Sequence, residues 1–228
     1  MSSIQELPDS LKGGHPKTNP YQEYDFQAAN EHYAKHLHKP DLVVGARSRV
    51  GIITCADARC IPEKFFELTE NEAFVIRNGG GRTATDDVIR TLLLIQILSE
   101  VKEVKVVHHT GEAIRCCFRS LLKETHADNH LISDCGALAY SEEWARAVVT
   151  TNDPSAPGGP FKKEALAWSE AIAYQPFTIR PNETERERIE RSVRQDVEYL
   201  KSHPLIKPAV LITGWVYDLH TGKTEQVL

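Results

Sequence analysis

The amino-acid sequence predicts an α/β protein, with a mainly parallel central sheet flanked by helices and preceded by an N-terminal helical arm. Three observations carry this. Short β-branched runs, "RVGIITC", "AFVI" and "VKVVHH", alternate with segments whose apolar residues step by three and four. Polar residues and glycines gather just after the runs, where parallel sheets place their sites. At 228 residues the chain suits one sizeable domain.

Residues 1–20 are rich in Pro, Gly and Ser and read as a flexible arm; residues 21–228 are expected to form a single domain. Within it, Phe26, Ala29, Tyr33 and Leu37 make a helical stripe ended by Pro40. "RVGIITCAD" reads as a buried strand feeding a loop, and Ala73–Ile76 as a second strand running into three glycines. Thr85 is a plausible N-cap, with Asp86 and Asp87 at the positive end of the helix dipole. Val88, Leu92, Ile95 and Leu98 mark the face this helix is expected to bury.

A third strand is expected over Val104–His108, then a helix from Ala113 to about Thr125. Residues 126–160 look irregular, and "TTNDPSAPGGP" is a loop. Asn182 and Glu185 have the spacing of a capping box, opening a helix with the stripe Ile189, Val193, Val197 and Leu200. "AVLITGWVYD" is a last strand, turning through "LHTGK" into a hairpin edge.

Charge and hydropathy exclude several classes. The net charge of −5 is spread without blocks of one sign, which argues against a nucleic-acid partner. No apolar run reaches the ~20 residues of a membrane span, and the first residues lack the apolar stretch of a signal peptide. A cytoplasmic protein is expected. With five cysteines and no export signal, reduced thiols are favoured over a disulfide framework.

Cys55, Asp57 and Arg59 alternate directly after a strand, so an extended chain would aim all three the same way. A thiolate is a strong zinc ligand, and an arginine can keep a neighbouring carboxylate ionised through a bidentate pair. A buried cysteine beside a surface ion pair has the same spacing. His109 ends the third strand, and Glu112 lies three residues on. Carboxylate is an acceptable zinc ligand, harder than thiolate; an acid in the first turn of a helix is the plainer reading. Cys116 and Cys117 read as core. Gly79 and Gly80 are candidates to bring backbone N–H groups to a substrate anion, though a tight turn explains a glycine run equally.

Taken together, "CADAR", "VIRNGGG", "TDDVIRTLLL" and a β-branched strand ending "HHT" resemble the β-class carbonic anhydrases in order and spacing. The tail "SVRQDVEYLKSHPLI…VLITGWVYDLHTGK" is similar to the short prokaryotic-type members of that family. The resemblance covers roughly residues 21–124 and 185–228; the 126–181 segment is atypical. It implies zinc (Zn2+) held by Cys55 and His109, with Asp57 and Arg59 either orienting the zinc-bound water or letting Asp57 take the fourth position. The family's second cysteine ligand is replaced here by Glu112, and Gly111 stands where Asp is common. "SDCGAL" at 133–138 looks like the missing fragment but comes some twenty residues late, after a predicted helix, and is set aside as coincidence.

A carboxylate in place of a thiolate keeps the formal charge of the ligand set but donates less to the metal. Zinc would be a stronger Lewis acid and would be bound more weakly. Three functions follow as expectations. The first is a carbonic anhydrase-like lyase, in which zinc hydroxide attacks carbon dioxide to give bicarbonate. The second is a zinc hydrolase or lyase acting on carbon disulfide, carbonyl sulfide or a small carbonyl metabolite. The third is a non-catalytic relative without metal. The resemblance also implies a homodimer or higher homo-oligomer, with the 21–38 helix packed on a neighbouring subunit.

Overall fold

A computed structural model describes residues 23–111, 165, 180 and 183–228. The predicted helix at 113–125 lies outside the described residues, as do Glu112, Cys116, Cys117, Cys135 and all but two positions of the 126–181 segment.

The chain divides into two compact units, Met1–Leu42 and Val43–Leu228. The first contains helix α1, Phe26–His36, capped by Asp25, whose side chain accepts from the Ala28 N–H at 2.9 Å. None of its residues is buried, and Phe26 is 78% exposed.

The second unit is built on a five-stranded sheet. Its strands are β1 (Val50–Cys55), β2 (Phe74–Asn78), β3 (Glu103–His109), β4 (Leu211–Tyr217) and β5 (Thr224–Gln226), in the order β2-β1-β3-β4-β5. The first four are mutually parallel and β5 is antiparallel to β4, closing the expected hairpin edge. β1 lies between β2 and β3, so the connection that follows it runs to one side and the next one, from β2 to β3, returns to the other. The crevice beyond the carboxyl end of β1 is therefore a topological switch point.

The helices of this unit include α2 (Pro62–Phe65), α3 (Asp86–Leu98) and α4 (Glu185–Ser202), with a 3-10 turn at Gly79–Gly81. Val88, Ile89, Leu92 and Ile95 of α3 and Ile189, Val193, Val197 and Leu200 of α4 pack with the apolar residues of β1, β3 and β4 into one core.

Several boundaries differ from expectation. Leu98 is 74% exposed. At ~100° per residue it points roughly 120° away from the centre of the buried arc set by Val88, Ile89, Leu92, Ile95 and Gln96. β2 runs from Phe74 to Asn78 rather than from Ala73 to Ile76, because its ladder with β1 continues as far as Cys55↔Asn78. β3 continues through His109, held by the pair His109↔Tyr217 with β4.

The capping box of α4 is Thr184 with Glu187, not Asn182 with Glu185. Thr184 Oγ1 accepts from the Glu187 N–H at 3.3 Å, and the Glu187 carboxylate accepts from the Thr184 N–H at 2.7 Å. Glu185 is engaged elsewhere.

Candidate active site

Cys55 is the last residue of β1 and His109 the last of β3, the two strands that flank the switch point. Both side chains are buried, at 3% and 1% exposure. The ring of His109 is fixed by its Nδ1–H, which donates to the Thr110 carbonyl at 2.8 Å. That leaves Nε2 as the nitrogen that could meet a metal. Nε2 is buried and meets no hydrogen-bond partner of good geometry among the described residues; the groups that act on the ring are the sulfurs of Cys55 and Cys60. Burial pulls the imidazole down, but the two thiols outweigh it and push it up to about 10.

The C-x-D-x-R loop folds tightly rather than staying extended. Asp57 Oδ1 accepts from the Arg59 N–H and from Nε, each at 2.9 Å, and Oδ2 accepts from Nη2 at 2.6 Å. The bidentate pair is thus present. The Arg59 hydrogen bonds outweigh burial and hold the Asp57 carboxyl down at about 2, with a smaller contribution from His109. The Asp57 N–H donates to the sulfur of Cys55 at 3.4 Å.

Sequence reasoning overlooked Arg77, which clamps this loop from β2. Its Nε donates to the Cys55 carbonyl at 3.2 Å and its Nη2 to the Asp57 carbonyl at 2.7 Å. Cys60, whose thiol reaches His109, was also passed over. The signal was its place one residue after the motif.

The glycine run serves a steric need. Gly80 and Gly81 have φ of 80° and 67°, in the left-handed region. A Cβ on Gly81 would lie 3.0 Å from the Thr54 carbonyl carbon and 3.1 Å from the Cys55 nitrogen. The turn therefore presses directly on the peptide that carries Cys55. Asn78 closes it, accepting from the Arg82 N–H and donating to the Arg82 carbonyl, both at 2.8 Å. The Asn78 carbonyl in turn accepts from the Ala56 N–H at 2.8 Å.

Beyond β3, Gly111 donates its N–H to Glu185 Oε1 at 2.9 Å, so the first residue of α4 anchors the loop that leads towards position 112. His108 points away from His109, as neighbours on a strand must. Its Nδ1–H donates to Ser192 Oγ at 2.6 Å, since that hydroxyl gives its own hydrogen to the Ile189 carbonyl at 2.7 Å. Its Nε2 lies 3.2 Å from Asp196 Oδ2 and 3.3 Å from the Gly81 carbonyl.

Of the expected zinc donors, the structure brings together Cys55 and His109. Glu112 lies outside the described residues, and these contain no group of three side chains able to hold a metal ion. The donors present suit zinc in kind: a cysteine sulfur, an imidazole whose Nε2 is not tied up in a hydrogen bond of good geometry among the described residues, and an ionised carboxylate close by.

Fold and site together define a class: a parallel α/β sheet carrying a thiol, an imidazole and an arginine-held carboxylate at one switch point. Residues 50–224 match the family model described as carbonic anhydrase, and the chain belongs to that β-carbonic-anhydrase-like family. It is 26% identical over 203 residues to beta-carbonic anhydrase 1 of Mycobacterium tuberculosis, covering 89% of this chain and 96% of that one. It is 28% identical over 190 residues to the carbon disulfide hydrolase of an Acidianus species, covering 78% and 76%. Among solved structures, the carbonic anhydrase from Glaciozyma antarctica superposes with a TM-score of 0.66 at 28% identity, over 90% of this chain and 98% of that one. The family thus includes proteins named for two different small substrates. No helix among the described residues is long and apolar enough to cross a membrane.

Proposed function

We propose that this protein is a zinc-dependent lyase that hydrates carbon dioxide to bicarbonate. The observation that carries the reading is the Asp57–Arg59 pair, locked at 2.6–2.9 Å on the loop that begins at Cys55. Cys55, His109 and Glu112 would hold the metal, which when bound supplies a Lewis acid that makes water nucleophilic near neutral pH. Asp57, ionised well below neutral pH, accepts a hydrogen bond from the attacking water and orients it. Arg59 keeps that carboxylate in place and in the acceptor state. Backbone N–H groups of Gly79 and Gly80 are assigned to the developing anion. The active unit is a homo-oligomer, in which the uncovered apolar residues of α1 meet a second chain.

The similarity to a carbon disulfide hydrolase favours a second reading, the hydrolysis of a sulfur analogue of carbon dioxide at the same site. Elemental analysis of protein purified without chelator or added metal, followed by stopped-flow assays on carbon dioxide, carbon disulfide and carbonyl sulfide, tests both. About one zinc per chain with carbon dioxide hydration is expected; turnover of carbon disulfide alone decides for the second reading. Loss of zinc in Glu112→Gln supports Glu112 as third ligand, whereas loss only in Cys60→Ser or Cys135→Ser moves the ligand there. A chain that takes up no zinc even on reconstitution overturns both readings.

A further inference from the structure

Asp196 has no part in the mechanism above, yet its carboxylate is 1% exposed in the middle of α4. Four groups converge on it. Oδ1 accepts from the Thr83 N–H at 3.0 Å and from Thr83 Oγ1 at 2.7 Å. Oδ2 lies 2.9 Å from Arg82 Nε, an ion pair set off the line of a hydrogen bond, and 3.2 Å from His108 Nε2. Burying a carboxylate is costly unless such partners surround it. Every one of them belongs either to the two residues after the glycine turn or to the strand that ends in His109.

The geometry points to Asp196 as a positioning residue for the metal site, acting through Arg82, Thr83 and His108 to hold the glycine turn against Cys55. The route is continuous. Asp196 fixes Arg82 and Thr83, and Asn78 ties Arg82 back across the turn. Gly81 then bears on the Thr54–Cys55 peptide, while the Asn78 carbonyl holds the Ala56 N–H. His108, which also faces the Gly81 carbonyl, links the same carboxylate to the residue before His109. Both ends of the Cys55–His109 pair therefore take their position from one side chain on α4. This assignment rests on the proposed function for its consequence, but not for its geometry.

Asparagine cannot replace the carboxylate here. It offers one acceptor oxygen, and its NH2 would face either the two Thr83 donors or Arg82 and His108. The test compares Asp196→Asn and Asp196→Ala with Val193→Ala, a core truncation on the same helix that touches none of these groups in its polar contacts. Two readouts are followed. The first is hydrogen exchange in the metal-free protein at the Ala56 and Arg82 amides, neither of which bonds Asp196 directly. After correction for each variant's global stability, exchange at both should accelerate at least tenfold in the Asp196 variants and stay unchanged in Val193→Ala. The second is zinc affinity by chelator competition, expected to fall about 10- to 100-fold in the Asp196 variants alone, the range for groups that orient metal ligands.

Equal effects in Val193→Ala and Asp196→Asn at the two amides overturn the assignment. If wild-type protein binds no zinc, the proposed function fails while the exchange experiment still decides for or against the clamp. Should Asp196→Ala not fold, Asp196→Asn carries the comparison.

Discussion

Replacing Gly81 with alanine is the sharpest probe of the contact on which the site is built. Two costs add. A φ of +67° places an L-residue in the left-handed region, at about 1–2 kcal/mol. The new Cβ would also meet the Thr54 carbonyl carbon at 3.0 Å and the Cys55 nitrogen at 3.1 Å, both backbone atoms in a strand paired on each side. Neither can rotate away as a side chain would, and forced overpacking of this kind costs typically ~1–3 kcal/mol. The expected loss is roughly 2–5 kcal/mol. Gly222 provides the control: its φ is +69°, but a Cβ there meets nothing within 4 Å, so Gly222→Ala carries the conformational cost alone. Denaturant unfolding of the metal-free variants, with unchanged m-values, gives both numbers. The difference between them isolates the pressure of the turn on β1. A Gly81→Ala protein no less stable than Gly222→Ala would refute the reasoning.

Arg59→Ala should return the Asp57 carboxyl from about 2 towards its ordinary 3.8, read by carboxyl-carbon NMR titration. Because the folded-state value is depressed, the stabilisation is complete above the unfolded value and is lost as pH falls through the folded one, so wild type and variant should converge in stability near pH 2. The Arg59 side chain is about half exposed, which screens the pair, and the expected loss at neutral pH is only about 1 kcal/mol. Thr184→Ala removes the capping box of α4 and should cost about 1 kcal/mol, measured by denaturation, whereas a change at Asn182 should leave the cap intact. Deleting residues 1–42 should lower the assembly state measured by light scattering; an unchanged oligomer would remove α1 from the interface. Glu185→Gln keeps an acceptor for the Gly111 N–H and should leave stability within about 0.5 kcal/mol, while Glu185→Ala should lose about 1 kcal/mol on denaturant unfolding.

Much of this site was legible because it is local in sequence. The C-x-D-x-R spacing carried both the thiol and the ion pair, and "VKVVHH" announced a buried strand with histidines at its end. The network around Asp196 was not legible in the same way, because Thr83 and Asp196 are 113 positions apart. A signal for it does exist on α4. Ser192 and Asp196 sit among Ile189, Val193, Val197 and Leu200, on the face that those apolar residues bury. Two polar residues four apart on a buried stripe require partners, so they mark a polar contact across the core. The misplaced cap has a different cause. Asn182–Glu185 and Thr184–Glu187 have the same spacing, and local pattern cannot rank them. Tertiary structure does, since Glu185 is drawn to the Gly111 N–H and only Glu187 is left to cap.

The two consecutive histidines bring these parts together. Strand alternation sends their rings to opposite faces, and the two faces do different work. His109 meets the sulfurs of Cys55 and Cys60, whereas His108 meets Ser192, Asp196 and the Gly81 carbonyl. A strand end carrying a single histidine would be held by its ladder alone, and the last ladder pair of β3 is His109↔Tyr217. With His108 anchored one residue earlier to the helix that also holds the glycine turn, the ends of β1 and β3 are referenced to a common point. The ladder between β1 and β3 sets the spacing of the two strands as far as Thr54↔Val107, and beyond it the two ends that carry the donors share α4 as an outside support.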